Sequence, residues 1–286
     1  MPPVRPNFLV IGAQKCATSW LFRHLSAHPD IFMPPVKETA FFAYESHLQA
    51  PGTAAYFDYF RDAGTATAVG EATPAYFWSP GAPTGGGLPD GFQPDIPAAV
   101  RELLRPDVRL LLCLRDPARR ALSAWAHYVA HGELDPDTRF RDAMAYGGAV
   151  AMGYYAHHLA HWRRCFPAAQ FRVMTVEADI RPRPAKTLRD VARFLGVDPD
   201  GFPETAPGTP VFAGTRIEAS GDGGIRFFPP ADDPERRIPV HGATADELHW
   251  LRSLYRDDIV TLGRMLDRDF ASTWGYGNTR PSKALN

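Results

Sequence analysis

Phe8-Leu-Val-Ile-Gly12-Ala-Gln-Lys15-Cys-Ala-Thr18-Ser-Trp20-Leu21 is the stretch whose reading decides the fold. Phe8 to Ile11 is a short apolar run, the pattern of a buried strand. Gly12 permits a tight turn, and Lys15, Thr18 and Ser19 supply donors where a helix should begin. Trp20, Leu21 and Leu25 share one face of that helix, and Pro29 stops it. The first turn of a helix carries unpaired N–H groups and the positive end of the dipole. Strand, turn, lysine and helix start together make an anion site, and the expected ligand carries phosphate.

The loop is not the common nucleotide-binding pattern Gly-x-x-x-x-Gly-Lys-Ser/Thr. Lys15 follows Gly12 by only three residues, and Ala17 and Thr18 occupy the places of the second glycine and the lysine.

Outward from this loop, apolar strands alternate with amphipathic helices, which predicts an α/β fold with a mostly parallel sheet. Phe57 to Phe60 is an apolar segment, and a second strand is expected near Ala66 to Glu71. Ser79 to Pro97 is rich in Pro and Gly and reads as a surface loop. Val108 to Leu114 is a buried strand, and a helix starts at Asp116-Pro117 with Asp as cap. Tyr155, Leu159, Trp162 and Phe166 recur with helical spacing, and Phe171 to Val176 is a further strand. Leu188, Val191 and Leu195 form a helix closed by Gly196. Asp200 to Val240 reads as irregular, a loop layer over a site. The last helix spans Ala245 to Leu266. No internal repeat or linker divides the 286 residues, so a single domain is expected, with loop-rich segments at 79–97 and 200–240 over the cleft.

A net charge of −1 argues against a nucleic-acid or anionic-membrane partner, so attraction for a polyanion must be local. Three cysteines are too few for a disulfide framework and read as reduced thiols. No apolar run approaches the ~20 residues of a membrane span, and a soluble, cytoplasmic protein is expected. Abundant Ala, Arg, Pro and Gly accord with a GC-rich bacterial genome.

A second constellation follows the buried strand: Arg115-Asp116-Pro117, then Ser123 and His127. Arg115 sits at the carboxyl end of the strand, the edge where open α/β sheets bind ligands. Ser123 and His127 are four residues apart and share a helix face. An arginine and a hydroxyl facing one cleft can grip a phosphate through charge-assisted hydrogen bonds.

With these segments in view, the chain resembles sulfotransferases that use 3′-phosphoadenosine 5′-phosphosulfate (PAPS), in particular the heparan sulfate N- and O-sulfotransferase branch and its bacterial relatives. The resemblance runs through Gln14-Lys15, Gly70-Glu71-Ala72-Thr73-Pro74-x-Tyr76, Arg115-Asp116-Pro117 with Ser123 and His127, Gly153-Tyr154-Tyr155, Phe194-Leu195-Gly196-Val197 and Arg236-Arg237-x-Pro239. It implies a P-loop-NTPase-like three-layer sandwich, a central and mostly parallel sheet flanked by helices. It implies transfer of a sulfuryl group to a hydroxyl or amine of a small-molecule, natural-product or glycan acceptor, leaving 3′-phosphoadenosine 5′-phosphate (PAP).

The resemblance also assigns residues. Lys15 contacts the 5′-phosphosulfate and stabilises the leaving phosphate, within a loop formed by Cys16, Ala17, Thr18, Ser19 and Trp20. Arg115 and Ser123 hold the 3′-phosphate, and Arg236 and Arg237 match a basic loop that closes over the cofactor. The family's usual Lys-Gly-Arg is here Pro234-Glu235-Arg236, and Cys16-Ala17 replaces the usual Thr/Ala-Gly. Glu71 is the general base in this scheme. Read from the residues, it is a carboxylate at the end of a short apolar strand, expected on the rim shared with Lys15. His127 is the competing base, with an ordinary pKa suited to proton abstraction; otherwise it steadies the transferring group or orients the acceptor. No metal is required, because the transferred group bears less charge than a phosphoryl group.

Other features carry less. His157, His158 and His161, and His127 with His131, have the spacing of zinc pairs but no third ligand nearby. Cys16 inside the loop reads as packing rather than thiol chemistry. Two alternatives stay open: a P-loop-like small-molecule kinase, and a catalytically silent nucleotide-binding protein.

Overall fold

Phe8–Gly12 forms strand β1, and all five of its residues are buried. The structure is a computed structural model that describes residues 3–49, 52–84, 88–135, 137–203, 216–219, 225–228 and 245–276. With β2 (Ile31–Phe32), β3 (Ala68–Ala72), β4 (Arg109–Leu114) and β5 (Phe171–Thr175), β1 builds a five-stranded sheet in the order β2-β3-β1-β4-β5. Every pairing is parallel; Leu9 faces Glu71 on one side and Leu110 on the other. Strands buried on both faces read as continuous apolar runs, which is why Phe8–Ile11 and Leu110–Leu114 are legible without alternation. β1 lies at the centre, with the later chain continuing on both sides of it. That reversal of strand order opens a crevice above the carboxyl ends.

The helices are α1 (Thr18–Ser26), α2 (Gly52–Asp58), α3 (Ile96–Leu103), α4 (Pro117–Ala130), α5 (Tyr155–Arg163), α6 (Pro184–Leu195), α7 (Ala245–Leu266) and α8 (Phe270–Trp274). In α4 only Arg119 is exposed, so this helix is core on nearly every side. Its start is held as expected: Asp116 accepts from Ala118 N–H at 3.1 Å, and Pro117 opens the first turn. Trp125 and Trp162 are fully buried, and Trp162 stacks on Phe166 just beyond the end of α5. No helix among the described residues is long and apolar enough to cross a membrane.

Two expectations need correction, and one strand carried no signal in the sequence. The loop expected over Ser79–Pro97 ends early, because α3 begins at Ile96; Asp95 caps it by accepting from Ala98 N–H at 3.3 Å. Pro97 stands in the first turn, where a missing N–H costs nothing. The two-residue β2 is too short for any periodic signal. Within Asp200–Val240, most residues lie outside the described ones, but β6 (Arg216–Ala219) and β7 (Ile225–Phe228) pair antiparallel instead of running irregularly.

Gly12 ends β1 where backbone elements crowd together. A Cβ there would stand 2.7 Å from Phe77 Cβ and 3.0 Å from the Pro74 carbonyl, at a φ of +156°. Only glycine leaves room for β1 to turn beneath the segment that follows β3.

Candidate active site

The loop after β1 is pinned before it reaches the cleft. Ala13 N–H donates to the Cys113 carbonyl at 2.7 Å, and Cys16 N–H donates to the Ala13 carbonyl at 3.2 Å. Lys15 and Ala17 both take left-handed backbone conformations, with φ of 63° and 68°. These twists swing the chain into α1, and Ala17 offers no side-chain cap to its first turn. The N–H groups of that turn are therefore presented to a ligand. An L-residue with a Cβ pays roughly 1–2 kcal/mol in the left-handed region. Ala17→Gly is accordingly expected to stabilise the fold by about 0.5–1 kcal/mol after the extra chain entropy of glycine is subtracted; urea unfolding of the two proteins measures it.

A cleft of about 650 Å³ opens over this turn. Its wall is drawn from the carboxyl ends of four strands: Gln14, Lys15 and Ala17 to Trp20 after β1, Pro74 and Ala75 after β3, Arg115 after β4, and Val176 and Arg181 after β5. Ser123 and His127 reach it from α4, Arg23 from α1, and Lys37 and Glu38 from the loop after β2. Lys15, Ala17, Thr18, Ser19, Trp20, Arg115, Ser123 and His127 thus share one cavity although more than a hundred positions separate the first from the last.

The electrostatics are those of an anion site. Burial, then Arg115, Lys37 and Arg120, pull the Lys15 ammonium down to about 8. Burial also lowers the Arg115 guanidinium, which donates to the Lys15 carbonyl at 3.5 Å. Burial, then Lys15 and His131, push the His127 imidazole down to about 4, so it is neutral at physiological pH. A bound anion stabilises the charged form of Lys15, so binding should take up protons near pH 8 and weaken as pH rises through that value. Calorimetry with pyrophosphate in two buffers of different ionisation enthalpy reads both effects; binding indifferent to pH between 7 and 9 would exclude Lys15 from the contact.

Beneath the loop lies a hydrogen-bonded layer that the sequence did not announce. Arg120, fully buried, donates to Gln14 Oε1 at 3.4 Å and to the Ala149 carbonyl. Gln14 Nε2 donates to the Tyr128 hydroxyl at 2.9 Å, which in turn donates to the Gly147 carbonyl. Tyr155 donates to the Arg115 carbonyl at 2.9 Å. This layer fixes the loop and Arg115 relative to α4 and α5.

Two expected residues are not in the cleft wall. Cys16 is fully buried, its thiol facing the Tyr155 hydroxyl at 3.6 Å and pushed up to about 11 by burial; its N–H is already committed to Ala13. Glu71 does not stand on an open rim. It lies inside β3, 1% exposed, where its Oε2 accepts from Thr73 at 2.8 Å and its Oε1 has no hydrogen-bond partner. Burial raises its carboxyl to about 7, against the opposing pull of the Tyr76, Thr73 and Thr39 hydroxyls. The segment after Lys37 covers it: Thr39 Oγ1 meets the Tyr76 hydroxyl at 3.2 Å, and Ala40 N–H donates to Thr73. Arg236 and Arg237 lie outside the described residues.

Lys37, Glu38, Arg23 and Arg181 were not singled out in sequence as cleft residues. Lys37 pairs with Glu38 at 3.0 Å. Lys37, Glu38 and Arg181 lie in connections and Arg23 is one of several polar residues on α1, so only proximity in the fold reveals them. Among the described residues, no three His, Cys, Asp or Glu side chains gather into a metal-holding group.

Comparison with known proteins gives a family and a fold likeness. The sulfotransferase domain family matches residues 94–206. A heparan sulfate N-deacetylase/N-sulfotransferase 4 of Mus musculus is 27% identical over 293 residues, covering 92% of this chain and 30% of its own length. Heparan sulfate glucosamine 3-O-sulfotransferase 3B1 of Mus musculus is 29% identical over 200 residues, covering 67% of this chain and 46% of its own. The chain thus spans well under two thirds of these relatives. A sulfotransferase crystal structure from Alicyclobacillus acidocaldarius superposes with a TM-score of 0.67 at 25% identity, covering 94% of this chain and 99% of the other.

Proposed function

This chain belongs to the sulfotransferase family, and we propose that it moves a sulfuryl group from PAPS to a hydroxyl or amine of a small-molecule, natural-product or glycan acceptor. The observation that carries the reading is one cleft holding anion donors from two different parts of the fold. Lys15 and the uncapped first turn of α1 form one set; Arg115 and Ser123, delivered by β4 and α4, form the other. A nucleotide with phosphate at both its 5′ and 3′ ends matches such a pair.

The donor supplies an activated sulfuryl group whose departure leaves charge on a phosphate oxygen. In this reading Lys15 and the α1 amides neutralise that charge. Arg115 and Ser123 hold the far phosphate and so fix the nucleotide's orientation. Glu71, with a carboxyl near neutrality, is the base for the acceptor proton. Because it is covered by Thr39 and Ala40, access to it requires that segment to shift when acceptor binds. His127, neutral and in the cleft wall, orients the acceptor or the transferring group through its ring N–H.

Calorimetric titration with PAP, with AMP as the control, tests the reading. Binding at least about tenfold tighter for PAP is expected, because a charge-assisted phosphate contact contributes roughly 1.5–3 kcal/mol. Equal binding of the two nucleotides would remove the 3′-phosphate assignment and with it the PAPS reading.

A further inference from the structure

Arg115 can hold a phosphate only while no protein carboxylate neutralises it. Glu177, in the π-helical turn that follows β5 (Val176–Ile180), is near enough for its charge to favour the Arg115 cation. A direct arginine–carboxylate pair would be a stronger bond than any neutral donor could offer Glu177. Yet among the described residues no carboxylate oxygen stands within 4.0 Å of the Arg115 guanidinium.

The reason is that Glu177 is held at both oxygens. Oε1 accepts from Asp116 N–H at 3.3 Å, and Oε2 accepts from the Trp274 indole N–H at 3.0 Å. Asp116, the other nearby acid, is likewise engaged. Its Oδ1 accepts from Ala118 N–H and from the Tyr276 hydroxyl at 3.0 Å, and its Oδ2 faces Arg252 at 3.3 Å and Arg119 at 3.7 Å. Trp274 is itself fixed, 3% exposed, stacked on Phe270 and edge-on to Tyr155. Tyr155 is the residue that donates to the Arg115 carbonyl. The end of α8 therefore closes a ring of contacts around Arg115 without touching the cleft; Trp274 is not among the residues lining it.

We propose that Trp274 is a positioning residue for nucleotide specificity: its indole N–H keeps the Glu177 carboxylate turned from Arg115, so that the guanidinium stays free for the 3′-phosphate. This rests on the PAPS reading above. Freed of the indole, Glu177 Oε2 can rotate onto Arg115 and compete with the ligand phosphate.

The test compares PAP and AMP binding by calorimetry in wild type, Trp274→Phe and Trp274→Phe/Glu177→Gln. The phenyl ring keeps the stacking and removes only the donor. Trp274→Phe should weaken PAP by about tenfold and leave AMP within about twofold, and the double variant should recover most of the PAP affinity. A packing role alone would weaken both nucleotides together and would not be rescued by removing the Glu177 charge; either result overturns the proposal. If wild type separates PAP from AMP and Trp274→Phe separates them equally well, the positioning role falls while the PAPS reading stands. If wild type does not separate them, the PAPS reading falls and takes this inference with it. Should Trp274→Phe fail to fold, Glu177→Gln alone decides: the preference for PAP should hold or rise, and a fall would mean that Glu177 organises Arg115 instead of competing for it.

Discussion

Glu71→Gln is expected to lower kcat by about 10²–10⁴-fold, the usual contribution of a well-placed general base, with PAP affinity unchanged. The substitution keeps the side chain's length and an oxygen for the Thr73 hydroxyl, and it removes the capacity to accept a proton. The wild-type pH profile should carry the same signature. Activity should rise as Glu71 ionises through about 7, then fall as Lys15 loses its proton through about 8, a narrow bell. In Glu71→Gln the ascending limb should be absent from the residual activity. Stability supplies a control against misfolding. A carboxyl whose folded pKa is raised binds protons more tightly in the folded state, so wild type loses stability as pH climbs from the ordinary carboxylate range through about 7. Glu71→Gln has no such loss, and its thermal midpoint at pH 8 should be no lower than that of wild type. An inactive variant that also melts early would point to a structural role for Glu71, and a fully active one would hand the proton to another group.

Lys15→Met is expected to cost about 10²–10³-fold in kcat, the range for removing one donor aimed at developing charge in a closed site. The methionine fills a similar volume, so the loop that Ala13, Cys16 and Arg120 brace should keep its shape. The loss should fall on kcat more than on PAP affinity, since in the proposed binding mode PAP retains Arg115, Ser123 and the α1 amides. Lys15→Arg should recover little, because a planar fork does not present its charge at one point as a compact ammonium does. A variant that loses PAP binding and kcat in equal measure would make Lys15 a ground-state ligand only. The descending limb of the pH profile should disappear in Lys15→Met, which separates this lysine from any other group titrating near pH 8.

Much of the fold was legible because buried parallel strands and amphipathic helices write themselves as runs and periods. Phe8–Ile11, Val108–Leu114, the cap at Asp116-Pro117 and the long helix α7 needed no tertiary information, whereas the five-residue α8 that follows it was not expected. α3 was missed because its start signal, Asp95 with Pro97, is hidden in a run of Pro and Gly that otherwise means loop. β2 is two residues long, below any pattern's reach. The cleft was legible at Lys15, Arg115, Ser123 and His127, whose places at strand ends and on one helix face follow from spacing alone. Glu71 shows the limit. Its position at a strand end suggested an open rim, but the residues after Lys37 fold across it, and that covering depends on contacts between loops distant in sequence.

By itself, then, the sequence determined the longer strands and helices, the anion-binding turn after β1 and the placing of Lys15 and Arg115 at strand ends, since each depends on local periodicity and on where a strand ends. Only the tertiary structure decided the rest: that Lys15 is buried and crowded by other cations until its proton is loosely held, that Glu71 is buried with one oxygen unpartnered, and that Glu177 accepts from an indole almost a hundred residues away in the chain. Those properties come from desolvation and from pairings across long separations, and the energies involved exist only once the chain has excluded water and brought the groups together.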